Sequence, residues 1–334
     1  MLIKFFTLFF VGAALVAASV SEGYASSSRY RTLFSDRHRQ PNLPWRHLAS
    51  TEEESLVALL EILQGSPTGQ KVIKAAAHKA AQVGKTLTDI IRVDDFSKTD
   101  TTLSRKFYVR HPEHVVYEEH SLVYLDKDLT VADAVLDLAH ELTHYTWRAA
   151  FDPYAEDFTV RDLIKTTIEG AGGEVEAYLM ECKVWGEIWR GRYSSSNCTK
   201  IYDEDHGKFS REKAISLFYQ LGQHYEAWEA LRELLNLDRQ DFPYASNRPT
   251  LFVSSYYSLP YPLAAIKEFQ GIREKTCRNE ERRLRLLREQ LAANQASAQQ
   301  SVYYRLGRRY QQQCSGQKGF AAELVPPALR LMAF

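Results

Sequence analysis

Apolar residues recur at helical spacing along most of the chain. The first stripe comprises Leu56, Leu59, Leu60 and Leu63. Thr51 and Glu54 precede it at capping-box spacing, and this pair predicts a helix that begins just after Thr51. Similar stripes predict further helices over about 70–83, 130–149, 174–190, 210–235 and 264–313. A Pro- and Tyr-rich stretch, 239–263, predicts an ordered loop that contains at most one strand.

A different pattern occupies the region after Ser104. β-branched and aromatic residues are concentrated in three short runs, at 106–110, 114–117 and 121–125. Such runs predict strands, and Pro112 separates the first run from the second. Because helices surround these few strands, the sequence predicts an α+β fold that is mainly α, with a small edge sheet. The C-terminal segment is predicted to be helical, either as a hairpin or as one long helix.

The first 25 residues have the composition of a secretory signal peptide. Lys4 precedes an apolar run, 5–18, which is shorter than the about 20 residues that a membrane-spanning helix needs. Small residues suit cleavage after Ala18 or after Ala25. The polar residues that follow, 26–50, are predicted to form an extended arm or linker. We therefore expect an exported protein, either secreted or periplasmic.

The charge balance and the hydropathy of the mature chain exclude some classes of partner. Removal of residues 1–25 takes away one acidic and one basic residue and leaves equal numbers of both. Nucleic-acid-binding proteins usually have a basic excess, so we expect no nucleic-acid partner. No later apolar run reaches membrane length, so we expect no membrane span in the mature chain.

The segment 273–309 carries ten Lys or Arg and four Glu. This basic segment is either a solvated helix face or a contact with an anionic envelope component.

Four cysteines follow the signal peptide, and an even number in an exported protein predicts two disulfides. Cys277 and Cys314 would lie level in a helical hairpin that turns in the polar stretch midway between them. One unbroken helix would keep them far apart. Cys182 lies in a predicted helix, and the chain after Gly191 is long enough to bring Cys198 back to it. We therefore predict the pairs Cys277–Cys314 and Cys182–Cys198.

The segment from His140 to His144 reads H-E-x-x-H. On a helix, the i, i+4 spacing places both imidazoles on one face, where they can share one metal ion. Glu141 lies about 100° further round the helix than His140, where its carboxylate can accept a proton from water beside the metal. The apolar neighbours indicate a buried helix, in which these polar groups are costly unless a ligand or partner satisfies them.

A catalytic zinc site needs a third protein ligand and an open fourth position. Some zinc enzymes supply that ligand within one motif, H-E-x-x-H-x-x-G-x-x-H. Here Trp147 and Ala150 stand at the positions of the Gly and the last His, so the ligand must come from later in the chain. A Gly-rich turn and an acidic helix follow, and the candidates there are Glu174, Glu176 and Glu169.

Over about residues 121–190, these motifs resemble the gluzincin type of zinc metallopeptidase. In that type a second helix carries the ligand Glu, often with a small residue three positions later. Glu174 with Ala177 fits this spacing, so the resemblance favours Glu174. The type often has an Asp four residues after the ligand, which orients a His. Tyr178 stands at that position here, and Glu181 is the substitute that we consider.

The resemblance implies an exported zinc metallopeptidase that hydrolyses peptide bonds in a peptide or protein substrate by means of a zinc-activated water. The expected ligands of Zn²⁺ are His140, His144 and Glu174, and the expected general base is Glu141. The expected organisation is a zincin-like domain over 51–260 and a C-terminal helical segment, 261–334, that packs on it.

The alternative interpretation is a non-catalytic, envelope-associated binding protein on a degenerate zincin scaffold. The intact Glu141 favours the enzyme, because a scaffold alone would not require this carboxylate. The residues that could stabilise the oxyanion are His206, His224, Tyr225, Tyr256 and Tyr257, and the sequence does not select among them.

Overall fold

The computed structural model describes residues 41–155, 158–189, 196–294 and 297–316. This part of the chain is mainly helical with small sheets, which confirms the prediction of an α+β, mainly α fold. Its helices are α1 (Glu52–Gln64), α2 (Pro67–Gln82), α3 (Leu87–Ile90), α4 (Val131–Trp147), α5 (Val160–Glu169), α6 (Glu174–Ile188), α7 (Ser196–Ile201), α8 (Arg211–Phe218), α9 (Tyr225–Leu234), α10 (Tyr261–Asn294) and α11 (Ser297–Cys314). Among these helices, none combines the length and the apolar character that crossing a membrane requires. The predicted signal peptide lies outside the described residues.

The β structure of the described residues comprises one three-stranded sheet and two small hairpins. The strands are β1 (Ile91–Asp94), β2 (Lys98–Tyr108), β3 (His111–Asp126), β4 (Tyr202–Asp203), β5 (Lys208–Phe209), β6 (Val253–Ser254) and β7 (Leu259–Pro260). β3 is the central strand of the larger sheet. It pairs in parallel with β1 and antiparallel with β2, so that Val123 lies between Ile91 and Thr99. β2 is therefore an edge strand, and it contacts α4.

The prediction of three short strands is wrong in its boundaries. The runs 114–117 and 121–125 belong to the single strand β3, and the run 106–110 covers only the end of β2. Pro112 does not break the sheet because it lies at the second residue of β3, close to a shift in the register of the ladder. A missing backbone N–H is tolerated at such a position. The start of β2 was missed because its sequence, Lys-Thr-Asp-Thr-Thr, is polar.

The predicted helix over 210–235 is also wrong, because the structure has two helices, α8 and α9, in this range. The break contains Gly222, whose left-handed φ of 54° cannot continue an α-helix. A Cβ at this position would lie 2.9 Å from Oγ1 of Thr250. The chain thus turns at a position that favours glycine.

Helix α4 carries the H-E-x-x-H segment and lies at the centre of the fold. Thr130 caps its N-terminus by accepting a hydrogen bond from the backbone N–H of Asp133. Its predicted apolar stripe is at most 1% exposed and comprises Val131, Ala134, Val135, Leu138 and Leu142. α1, α2, α6 and β3 pack around it. The side chains of the motif therefore project from a helix whose position is fixed on several sides.

The segment that precedes α1 packs on the fold where the structure describes it. Trp45 is fully buried, and its Nε1 donates a hydrogen bond to the backbone O of Asp126 (2.9 Å). The capping box at the start of α1 is confirmed, since Thr51 and Glu54 exchange hydrogen bonds of 3.2 Å between backbone N–H and side-chain oxygen. The end of the predicted arm is thus attached to the sheet and to α1.

Helices α10 and α11 form a hairpin rather than one long helix. Cys277 and Cys314 form a disulfide with Cα atoms 5.8 Å apart, and Cys182 and Cys198 form another with Cα atoms 5.2 Å apart. Both predicted pairings are confirmed. The hairpin has its own apolar core, which includes Leu284, Leu287, Tyr303, Leu306 and Tyr310. Ion pairs join Glu280 of α10 to Arg105 of β2 and to Arg309 of α11. These pairs attach the hairpin to the sheet.

Candidate metal centre

The two imidazoles of the H-E-x-x-H segment lie together on one face of α4. The ring centroids of His140 and His144 are 4.7 Å apart in an edge-to-face arrangement. His140, Glu141 and His144 offer ligand atoms that all lie within 4.8 Å of one another. This group could hold a metal ion, as the i, i+4 spacing predicts.

A glycine turn between α5 and α6 brings Glu174 against these rings. Gly172 has a left-handed φ of 61°, and a Cβ on it would lie 2.2 Å from the backbone N of Arg148. The chain can therefore approach the end of α4 this closely only with glycine at that position. Glu174 is the first residue of α6, and its Oε2 lies 3.4 Å from Nε2 of His140 and 3.5 Å from Nε2 of His144.

Both imidazoles are oriented through their other nitrogen. Nδ1 of His140 donates to Oε2 of Glu181 (3.2 Å), and Nδ1 of His144 donates to the carbonyl O of Gly172 (2.7 Å). Metal-binding histidines commonly use their second nitrogen in this way, because such a bond fixes the ring and its tautomer. The Nε2 atoms of both rings are thereby directed towards Glu174. The structure thus places Glu181 where an orienting group was expected.

The distances from Glu174 Oε2 to the Nε2 atoms of His140 and His144 fit a tetrahedral zinc site. Zinc binds nitrogen and oxygen at about 2.0–2.1 Å, and donor atoms at tetrahedral positions are then about 3.3–3.4 Å apart. The observed 3.4 and 3.5 Å between Glu174 Oε2 and the two Nε2 atoms are close to this spacing. Two nitrogens and one oxygen are also a donor set that suits zinc. His140, His144 and Glu174 therefore fit this metal.

The carboxyl groups of Glu141 and Glu174 differ in their protonation. Burial raises the pKa of Glu141 to about 7. Burial would also raise the pKa of Glu174, but the interactions with His144, His140 and Arg148 outweigh it and hold that pKa well below its usual value. Glu174 is consequently ionised at neutral pH, as a ligand must be, whereas Glu141 can exchange a proton there.

Glu141 is held by a residue of the edge strand. The Thr99 hydroxyl lies 2.7 Å from Oε2 of Glu141 and 2.8 Å from its backbone O. This contact fixes one carboxylate oxygen and sets the position of β2 against α4.

Burial lowers the pKa of His144 to about 4, so this ring is neutral at physiological pH.

The other two acids that the sequence offered as ligands have different partners. Oε2 of Glu176 accepts a hydrogen bond from the backbone N–H of Gly172 (2.7 Å). Oε1 of Glu169 accepts one from the Tyr219 hydroxyl (2.7 Å). Both acids stabilise the glycine turn and its surroundings. Tyr178, at the position where an orienting Asp was considered, packs against Phe252 and its hydroxyl has no hydrogen-bond partner among the described residues.

Sequence reasoning missed two further side chains of the centre besides Thr99. Tyr261 lies near Glu174 and Glu141, and burial, followed by these two carboxylates, raises the pKa of Tyr261 well above its usual value. Arg148 donates from Nη2 to Oε1 of Glu174 (2.8 Å). His206, one of the residues that the sequence offered to stabilise the oxyanion, instead pairs with Asp203 (2.9 Å) at the surface. The position of Arg148 directly after the motif helix could have indicated that it lies near the centre. No local sequence pattern indicates this for Tyr261.

The centre is nearly closed. The exposed fractions of Glu141, His144 and Glu174 are 8%, 4% and 6%, while the side chain of His140 is 17% exposed. A cavity of about 230 Å³ lies elsewhere, against the helical hairpin, and is lined by Pro153, Phe158, Arg273, Thr276, Cys277, Arg309, Gln312 and Gln313. These residues contribute nothing to the centre, so the cavity and the centre are separate sites.

The chain matches no protein-family model, no curated protein and no solved structure.

Proposed function

We propose that this protein is an exported zinc metallopeptidase of the gluzincin type, which hydrolyses peptide bonds in peptide or protein substrates. His140, His144 and Glu174 are its zinc ligands, and Glu141 is its general base. The observation that carries this proposal is the convergence of Glu174 Oε2 on both imidazole Nε2 atoms, at 3.4 and 3.5 Å. Two disulfides support an oxidising compartment.

The choice of Glu174 rather than Glu141 as the third ligand follows from their partners. Glu174 faces both rings and is ionised, whereas one oxygen of Glu141 is engaged by Thr99. When bound, zinc lowers the pKa of a coordinated water towards about 7 and polarises the scissile carbonyl. With Glu174 as a ligand, Glu141 stays free for proton transfer.

Glu141 has the properties of a general base. Its pKa of about 7 in the metal-free protein lies near the operating pH, where proton transfer is most efficient. A cation beside it would lower this value and keep it ionised. Because Thr99 engages Oε2, Oε1 is the oxygen that accepts the proton of the attacking water and later passes it to the leaving amine.

Tyr261 is the hydroxyl that best suits the oxyanion. Its raised pKa keeps it protonated at neutral pH, so it remains a hydrogen-bond donor. It lies near Glu174 and Glu141, and the charges of both carboxylates contribute to the raised pKa of Tyr261. A donor in this position can stabilise negative charge that develops on a carbonyl oxygen.

The proposal is tested with the purified mature chain. We expect about one zinc per chain by elemental analysis, and hydrolysis of a casein-type substrate that a chelator abolishes and zinc restores. His144→Ala should lose most of the zinc. His111→Ala, which changes an exposed histidine of the β2–β3 hairpin, should keep it. A wild-type protein without bound zinc would contradict the proposal. Bound zinc without hydrolysis would instead favour the non-catalytic, envelope-associated alternative.

A further inference from the structure

Arg148, which directly follows α4, contacts both the glycine turn and the proposed third ligand. Its Nε donates to the carbonyl O of Gly172 (3.2 Å), and its Nη2 donates to Oε1 of Glu174 (2.8 Å). Its backbone N–H donates to the carbonyl O of His144 (3.0 Å). Arg148 therefore links the end of the motif helix to the start of α6.

These contacts close a ring that includes His144. The carbonyl O of Gly172 accepts hydrogen bonds from both Arg148 and Nδ1 of His144. On the other side of the ring, Nε2 of His144 lies 3.5 Å from Oε2 of Glu174. Each member therefore restricts the position of the next, and Arg148 is the only member of the ring that is not a proposed ligand or part of the turn.

The two oxygens of Glu174 consequently have different partners. Oε1 accepts from the Arg148 guanidinium, whereas Oε2 faces Nε2 of His140 and of His144. A guanidinium group can only donate hydrogen bonds. Arg148 thus occupies Oε1 of Glu174 as a donor. A carboxylate that binds a metal through both oxygens needs both of them free to turn towards it.

We propose that Arg148 is a positioning residue that restricts Glu174 to a metal contact through Oε2 alone. This inference rests on the proposed zinc centre. Two imidazole nitrogens and a single carboxylate oxygen fill three positions of a four-coordinate metal and leave the fourth open, as catalysis requires. Without Arg148, Oε1 becomes available as an additional ligand and the coordination number rises.

The test uses Co²⁺, whose visible absorption reports its coordination number. Four-coordinate Co²⁺ absorbs strongly, and the absorption becomes weaker as the coordination number rises to five and six. The mature chain is loaded with Co²⁺ as wild type, Arg148→Met, Arg148→Lys and Arg282→Met. Arg282→Met is the matched control, because Arg282 is exposed on the helical hairpin. Circular dichroism and the bound cobalt content show that each variant is folded and loaded.

We expect the strong four-coordinate spectrum from the wild type and from Arg282→Met. Arg148→Met should lose absorbance severalfold and shift towards the five-coordinate spectrum. Arg148→Lys should recover most of the absorbance, because its ammonium can still donate to Oε1. A loaded Arg148→Met with the wild-type spectrum would overturn the inference, and so would a loaded Arg148→Lys with a five-coordinate spectrum.

A measurement on the wild type covers the case in which the Met and Lys variants do not fold. X-ray absorption of the zinc-loaded wild type measures the distance from the metal to the carboxyl carbon of Glu174, which is shorter when both oxygens bind. We expect the longer distance, and the shorter one would overturn the inference while leaving the zinc centre intact. A wild type that takes up neither Zn²⁺ nor Co²⁺ would contradict the zinc centre itself.

Discussion

Oε2 of Glu181 lies 3.2 Å from Nδ1 of His140, although the two residues are 41 positions apart in the chain. The contact joins α6 to α4 and orients the imidazole whose Nε2 faces Glu174. It also affects the charge of the ring. Burial alone would lower the pKa of His140, but its hydrogen bonds with Glu174 and Glu181 outweigh burial and hold this pKa well above the usual value.

Zinc uptake should therefore release a proton at neutral pH. The raised pKa of His140 favours its protonated form in the metal-free protein, whereas a zinc ligand must be neutral. The apparent zinc affinity should rise with pH until the pH exceeds the pKa of His140. Titration calorimetry in two buffers of different ionisation enthalpy measures the released proton, and Glu181→Gln should release less. Equal heats in the two buffers would show that the ring is already neutral.

The third ligand can be assigned by comparing two variants of neighbouring acids. Glu174→Gln should lose most of the bound zinc, because an amide oxygen is a much weaker ligand than a carboxylate. Glu176→Gln should keep the zinc, since Glu176 bonds to the backbone of Gly172. Its cost in the free energy of unfolding should be about 1 kcal/mol. Elemental analysis of both proteins decides the assignment, and the reverse pattern would transfer the ligand role to Glu176.

Tyr261→Phe tests the proposed oxyanion donor. The variant removes one hydroxyl from a partly buried ring and should leave the zinc content unchanged. We expect kcat to fall by about 10²–10³-fold, the usual effect of losing such a donor, with little change in KM. Exposed Tyr256 supplies the matched control, since Tyr256→Phe should have wild-type kinetics. Unchanged kcat in Tyr261→Phe would exclude the role.

The two disulfides should differ in their contribution to stability. They close loops of different length, with sequence separations of 37 for Cys277–Cys314 and 16 for Cys182–Cys198. Loop entropy predicts losses of about 4 and about 3 kcal/mol when each pair is replaced by serines. Urea unfolding of the two double variants measures the losses. A larger loss for the Cys182–Cys198 pair would show that loop entropy does not govern these bridges.

Local sequence patterns were sufficient for the motif helix and for the disulfides. The stripe from Val131 to Leu142 predicts a buried helix by periodicity alone, and α4 agrees with it. The position of Cys277 relative to Cys314 predicts the hairpin, because helical rise fixes which residues of two antiparallel helices lie level. In both cases the geometry of one element, or of two adjacent elements, determined the outcome.

Contacts between distant elements were not predictable from such patterns. Thr99 lies on an edge strand whose polar sequence gives little indication of β structure. It contacts Glu141 only because β2 packs against α4. Tyr261 starts a long helix, far along the chain from Glu174, and no spacing rule connects the two. Glu174 and Glu176 both lie on α6, and the choice between them depends on how the glycine turn rotates α6 against α4. That rotation is set by close backbone packing at Gly172, which the sequence signals only as a run of glycines.

The central claim is that Glu141 transfers protons in a hydrolysis supported by zinc bound at His140, His144 and Glu174. The most direct test compares wild type with Glu141→Gln for zinc content, thermal unfolding and hydrolysis of a casein-type substrate. An amide cannot accept the proton of the attacking water. We therefore expect unchanged zinc and fold, with hydrolysis reduced by about 10²–10⁴-fold. A zinc-loaded Glu141→Gln protein with activity close to that of the wild type would contradict the account.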